Sequence, residues 1–220
     1  MKMLSYRRNI SMLVAVMAVV VASVGWLGWP AAAGGGLTGK LFVVDPGHGG
    51  SDPGAVGPTG LQEKEVNLRV GTVLRNCLVE YGGAQVVMTR TSDVDVSLDG
   101  RVAIANNWGA DRFISVHHNA ASDPSVNGTE TYAYTYGSSA SFDLRDKVHR
   151  QLLAWGGLPD RGARTANFYV LKYTTMPAIL TEASFISNPY EEARLRDASY
   201  TWREGYYIYK GIADHYGVAY

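Results

Sequence analysis

Four residues of the chain bring metal-binding or acid-base side chains to points where loops meet apolar runs: His48, Glu63, His117 and Glu182. His48 lies in "VVDPGHGGSDPGA", just after Val43 and Val44 and wrapped in glycine and proline. Glu63 closes the Gly-rich loop that follows, His117 ends "FISVHHNA", and Glu182 sits in "PAILTEASFISN". Two imidazoles and a carboxylate make an open zinc site, with a fourth position left for water. A further carboxylate near that water would act as general base. Nucleophilic chemistry competes poorly. There is no G-x-S-x-G elbow. Cys77, the only cysteine, lies among Val73, Leu74, Leu78 and Val79, where a small buried residue is expected.

Neighbouring strand residues point to opposite faces, so His117 and His118 cannot both aim at one metal. His117 is read as the ligand and His118 as a structural or supporting residue. Asp45 either accepts a hydrogen bond from the second nitrogen of a metal-bound histidine or ties down its own turn. The turn is the expected role.

The elements that must position these residues alternate strand and helix. Residues 41–45 form a continuous apolar run, as in a parallel strand buried on both faces. Helical spacing runs over 65–81 and stops at Gly82-Gly83. Further strands are expected at 84–89, 112–117, 128–134, 168–171 and 178–182. Further helices are expected at 97–108, 138–155 and 201–216. Leu98, Val102, Ala105 and Trp108 share one helical face, and Trp202, Tyr206, Tyr209, Ile212 and Tyr216 share another, both read as core. The fold class is α/β: a single domain with a twisted, mostly parallel sheet and helices on both faces. Ligands of such sheets sit outside the carboxyl ends of the strands, where His48 and His117 fall.

The first 36 residues are of different composition. Lys2, Arg7 and Arg8 precede an apolar run from Ile10 to Trp29, followed by Pro30-Ala31-Ala32-Ala33 and Gly34-Gly35-Gly36. This reads as a secretory signal cleaved near the alanines, or as an uncleaved anchor close to the ~20 residues that span a bilayer. Either way the rest, 37–220, is exported to the outer side of the cytoplasmic membrane. A membrane is a partner only through that segment. Over all 220 residues, 46% hydrophobic and 18% charged residues describe a globular chain, not a disordered one. Lys+Arg and Asp+Glu balance at 20 each, which argues against a nucleic-acid partner.

Six stretches in order, "VVDPGHGGSDPGA", "GLQEKEVNL", "VVMTRTSD", "RVAIANNWGADRFISVHHNA", "RGAR" and "FYVLKYTTMPAILTEASFISN", resemble the zinc-dependent N-acetylmuramoyl-L-alanine amidases of the amidase type 3 family. The resemblance covers about residues 40–220. It implies that His48, Glu63 and His117 bind one Zn2+ and that Glu182 is the catalytic carboxylate. It implies cleavage of the amide between the lactyl group of N-acetylmuramic acid and the first L-alanine of the stem, with peptidoglycan as partner. Roles in wall turnover, cell separation or spore-cortex processing follow. On this reading Arg161 and Arg164, in a Gly-containing loop, are candidates to grip stem carboxylates, and Asn119 either orients substrate or holds its loop. His118 departs from the family, where a smaller residue is commoner. The segment from Asn119 to Thr135 is too short for the inserted helix that blocks some division amidases. The rival reading is a zinc peptidase cutting within the stem peptide, which needs the same metal and base.

Overall fold

The computed structural model describes residues 35–220; residues 1–34, with most of the expected signal or anchor segment, lie outside them. In chain order the elements are β1 (Leu41–Pro46), α1 (Glu63–Glu80), β2 (Gln85–Met88), α2 (Leu98–Trp108), β3 (Arg112–Asn119) and β4 (Thr129–Tyr134). There follow α3 (Ser139–Gly156), β5 (Asp160–Ala166), α4 (Tyr169–Tyr173), β6 (Ala178–Phe185), α5 (Pro189–Leu195) and α6 (Ala198–Tyr216). The six strands form one sheet in the order β2-β1-β3-β6-β4-β5. Every pairing is parallel except β4 with β6.

Apolar residues of each central strand serve both faces, because the strand period is two. Phe42, Val44, Ile114, Val116 and Ile179 pack under α1, α3 and α6. Val43, Phe113, Ala178 and Leu180 pack under α2 and α4. Emptying either layer is costly: truncating the fully buried Phe113 to alanine removes about 3–5 kcal/mol. None of the described helices is long and apolar enough to cross a membrane.

The structure corrects the sequence reading at several places. The strand expected at 168–171 is the short helix α4, with Phe168 at its N-cap. The neighbouring strand is instead Asp160–Ala166, an edge strand paired only to β4. Its sequence, DRGARTA, carries no apolar alternation because an edge position with both faces open needs none. α1 begins at Glu63, two residues earlier than expected. β3 continues past His117 to Asn119. Leu98 and Trp108 are exposed, so α2 contributes chiefly Ala105 to the core. Trp202 is exposed too, while Tyr209 and Ile212 of the same stripe are buried.

Candidate metal centre and active site

β1 delivers the chain to the carboxyl edge of the sheet, and the turn after it carries His48 with a left-handed backbone, φ +60°. A non-glycine residue holds that conformation only when its surroundings fix it. Two arginines do so. Buried Arg90 donates from Nε to the Pro46 carbonyl (2.9 Å) and from Nη2 to the carbonyls of Gly47 (2.9 Å) and Lys64 (2.8 Å). Buried Arg101 donates from Nη1 to the Pro46 carbonyl (2.8 Å) and from Nη2 to the His48 carbonyl (2.8 Å). The outer loop is tied by Gly50 N–H to Asp93 (2.7 Å) and Ser51 N–H to Asp95 (2.9 Å).

Asp45 takes neither of the roles weighed for it. Its carboxylate is buried and accepts from Arg101 Nη1 (2.6 Å), Thr89 (2.7 Å) and Ser115 (2.7 Å). It balances the arginine that clamps the turn. The residue that steadies the histidine is Asp52, whose Oδ2 lies 2.7 Å from His48 Nδ1.

α1 presents Glu63 from its first turn, where the helix dipole favours a negative charge. Glu63 Oε2 lies 3.1 Å from His48 Nε2 and Oε1 lies 2.9 Å from His117 Nδ1. The carboxylate also accepts from Ala55 N–H (2.9 Å), Asn67 Nδ2 (3.0 Å) and His118 N–H (3.2 Å). Burial raises its pKa, but the two histidines outweigh that and hold it far below the usual carboxylate range. Burial likewise works against a charge on His48, yet Glu63 and Asp52 prevail and raise it to about 8.

One potential ligand atom from each of His48, Glu63 and His117 comes within 4.8 Å of the others. Two glycines make that convergence possible. A Cβ on Gly47 would lie 2.1 Å from His117 Cε1 and 2.2 Å from its Nε2, and a Cβ on Gly54 would lie 2.6 Å from both Glu63 Oε2 and His48 Cδ2. Two imidazoles and a carboxylate brought this close fit a zinc ion.

His117 and Glu182 are cross-strand partners of β3 and β6, so both project from the face that carries α2 and α4. His118 turns to the other face. It is buried between Asn67 (2.9 Å) and Glu204 (3.1 Å), and that glutamate raises its pKa against burial. Glu182 Oε2 is buried with no hydrogen-bond partner. Burial first, then the charges of Glu63 and Glu130, push the Glu182 carboxyl well above its ordinary value. His48, His117 and Glu182 line a cavity of about 670 Å³, with Leu98, Phe168 and Tyr169 also on its walls.

Asn119, Arg161 and Arg164 are brought together, though not in a loop, since both arginines lie on β5. They meet at Glu130, a residue the sequence reading passed over. Glu130 accepts from Asn119 Nδ2 (2.8 Å), Tyr132 OH (2.8 Å) and Arg161 Nε (3.1 Å), and Arg164 Nη2 lies 3.6 Å away. Arg161 is the extra residue where the β4–β5 register shifts, which aims it back at Glu130. The residues between β3 and β4 form a loop with no helix.

A family model described as N-acetylmuramoyl-L-alanine amidase matches residues 42–214. The chain is 44% identical over 162 residues to the amidase CwlM of Bacillus licheniformis. It is 43% identical, also over 162 residues, to a sporulation-specific N-acetylmuramoyl-L-alanine amidase of Bacillus subtilis. Each match takes in 73% of this chain but 62% of the relative's length. The catalytic domain of the amidase CwlV from Bacillus (Paenibacillus) polymyxa superposes with a TM-score of 0.77 at 38% identity, over 82% of this chain and 99% of that one. The matched region runs from β1 into α6 and holds all four residues of the cavity floor and cluster. The chain belongs to the amidase type 3 family of N-acetylmuramoyl-L-alanine amidases.

Proposed function

We propose that this chain is a zinc-dependent hydrolase of peptidoglycan that cleaves the amide between the lactyl group of N-acetylmuramic acid and L-alanine. It acts outside the cytoplasmic membrane, in wall turnover, cell separation or spore-cortex processing. The observation that carries the reading is the unpartnered carboxylate oxygen of Glu182 at the same cavity as the His48–Glu63–His117 cluster.

His48, Glu63 and His117 would hold the ion. Zinc bound there supplies Lewis acidity, which brings the pKa of a water to roughly 7 and polarises a carbonyl. Asp52 keeps His48 Nδ1 engaged, so that Nε2 faces the centre. Arg90 and Arg101 hold the turn that carries His48. Glu182, next to a cation, is a carboxylate in spite of its burial. It accepts the proton of the attacking water and returns it to the departing alanine nitrogen, which leaves poorly without it. Arg161 and Arg164, held by Glu130, turn their remaining guanidinium donors to carboxylates of the stem. Asn119, which donates to Glu130, braces this group.

Digestion of purified peptidoglycan tests the reaction. New free L-alanine amino termini are the expected product. New D-alanine or diamino-acid termini instead would replace the amidase reading with the zinc peptidase.

A further inference from the structure

The strand order sets the functional side chains in a row along one edge of the sheet. His48 follows β1, His117 lies near the end of β3, and Glu182 of β6 stands opposite Glu130 of β4, with Arg161 and Arg164 beyond them on β5. At about 4.8 Å between neighbouring strands, the row from β1 to β5 spans roughly 19 Å. On the far side of His48, the segment between β2 and α2 adds Asp95, Val96, Ser97 and Leu98 to the wall of the cavity. The metal cluster and the unpartnered Glu182 oxygen lie between these two ends.

The ends are opposite in charge. On β5, two arginines meet one carboxylate, that of Glu130. Beyond His48 the cavity is lined by the exposed side chains of Asp52 and Asp95. Lys64 pairs with Asp93 (2.8 Å) rather than with either of them. Hydrogen bonds from Ser51 Oγ (2.7 Å) and N–H (2.9 Å) hold the Asp95 carboxyl below its ordinary value. An ionised carboxylate has about four lone-pair sites, so Asp95 can accept further donors. Leu98, beside it, is 53% exposed. Its helical turn is tied to α4 by the Tyr169 hydroxyl, which donates to Asp99.

This end suits an uncharged carbohydrate. With its lactyl carboxyl in amide linkage, N-acetylmuramic acid has no charge, whereas the stem carries carboxylates. Asp52 and Asp95 would repel the stem. Sugar hydroxyls make strong bonds to a carboxylate, and the methyl of the acetamido group has an apolar partner in Leu98.

We infer that the Asp95–Ser97–Leu98 end of the cavity is the glycan subsite, with the muramic ring beyond His48 and the stem crossing Glu182 towards Arg161 and Arg164. This rests on the amidase reading and adds the direction in which substrate lies across the sheet.

Two soluble substrates test it on the full chain: an N-acetylmuramoyl peptide, and the same peptide carrying D-lactate alone in place of the sugar. Both hold the same amide and the same stem. The quantity read is the ratio of kcat/KM for the first to kcat/KM for the second. Leu98→Ala should lower the ratio about fivefold, and Asp95→Asn about tenfold. Because Asp95 also ties Ser51, any loosening of the His48 loop lowers both rates alike and leaves the ratio unmoved. Arg164→Gln should likewise lower both rates and keep the ratio. A lactoyl peptide cleaved too slowly to follow serves as a competitive inhibitor, its Ki replacing the second rate. An unchanged ratio in both Leu98→Ala and Asp95→Asn would overturn the inference. Equal losses on both substrates would assign this end to the stem, and a ratio lowered by Arg164→Gln would reverse the direction. An unaltered chain that leaves the lactyl amide intact in the muramoyl peptide would instead fail the amidase reading, and the inference with it.

Discussion

Glu130 stands opposite Glu182 across the antiparallel β4–β6 ladder, on the face that also carries His117. The two carboxylates have opposite surroundings. Glu130 is satisfied by Asn119, Tyr132 and Arg161, whereas Glu182 keeps a buried oxygen without a partner. One carboxylate is thereby committed to structure and the other left to chemistry. Glu130→Gln keeps the shape but loses the charge that holds the arginines. It should lower kcat/KM about tenfold, as expected for loss of a charged hydrogen-bond partner, with zinc content unchanged. The check is steady-state kinetics beside metal analysis. The loss should fall mainly on KM if the arginines bind stem carboxylates.

Gly47→Ala should cost far more than its size suggests. The new Cβ has no place except the His117 ring, so His117 must turn out of the cluster. The expected result is a folded protein with zinc affinity lowered at least a hundredfold, measured by competition with a chromogenic chelator.

Arg101→Lys tests the clamp on the His48 turn. Lysine keeps a charge for Asp45 but cannot also reach the carbonyls of Pro46 and His48 as the guanidinium fork does. Zinc affinity should fall about tenfold and the melting temperature should drop as well. Added zinc in excess should restore hydrolysis.

The pH dependence of metal uptake follows from His48. Its pKa is raised to about 8 in the metal-free fold against 6.5 for the unperturbed side chain. A raised pKa stabilises the fold below pH 6.5 and loses that contribution as pH climbs through 8, about 2 kcal/mol in all. Metal-free protein should therefore lose stability between pH 6.5 and 8.5 relative to His48→Gln. Zinc must displace the proton from His48. Its apparent affinity should rise about tenfold per pH unit up to about pH 8 and then level off. Calorimetric titrations across that range check both statements.

His48, Glu63, His117 and Glu182 stood out in the sequence because their residue types are scarce and lie where apolar runs meet loops, while the grouping of Glu63, not Glu182, with the two histidines came from the family resemblance; the structure brings those three within 4.8 Å. The doubly buried strands were legible as well, since their apolar runs are continuous. Glu130 was not. It lies in an alternating Thr/Tyr strand where a glutamate reads as solvent-facing, and only the placement of β4 beside β6, out of chain order, sets it against Glu182. The same ordering hid β5, whose polar sequence is held by backbone pairing at an edge. Asp52, to which the sequence reading gave no role, meets His48 where Asp45 does not, for a reason of direction. The Asp45 side chain points back along the sheet to Arg101, while the chain reversal at Gly49–Gly50 returns Asp52 to His48. Phe168 and its neighbours read as a strand by composition, yet form the helix that walls the cavity.

The most direct test of the account is bound zinc measured in the same purified samples of Glu182→Gln and Glu63→Gln used to assay amide cleavage. Glu182→Gln should hold one zinc per chain and lose hydrolysis by a factor of about 10²–10⁴, the usual worth of a general base. Glu63→Gln should lose both. Zinc lost from Glu182→Gln but retained in Glu63→Gln would contradict the assignment of ligand and base.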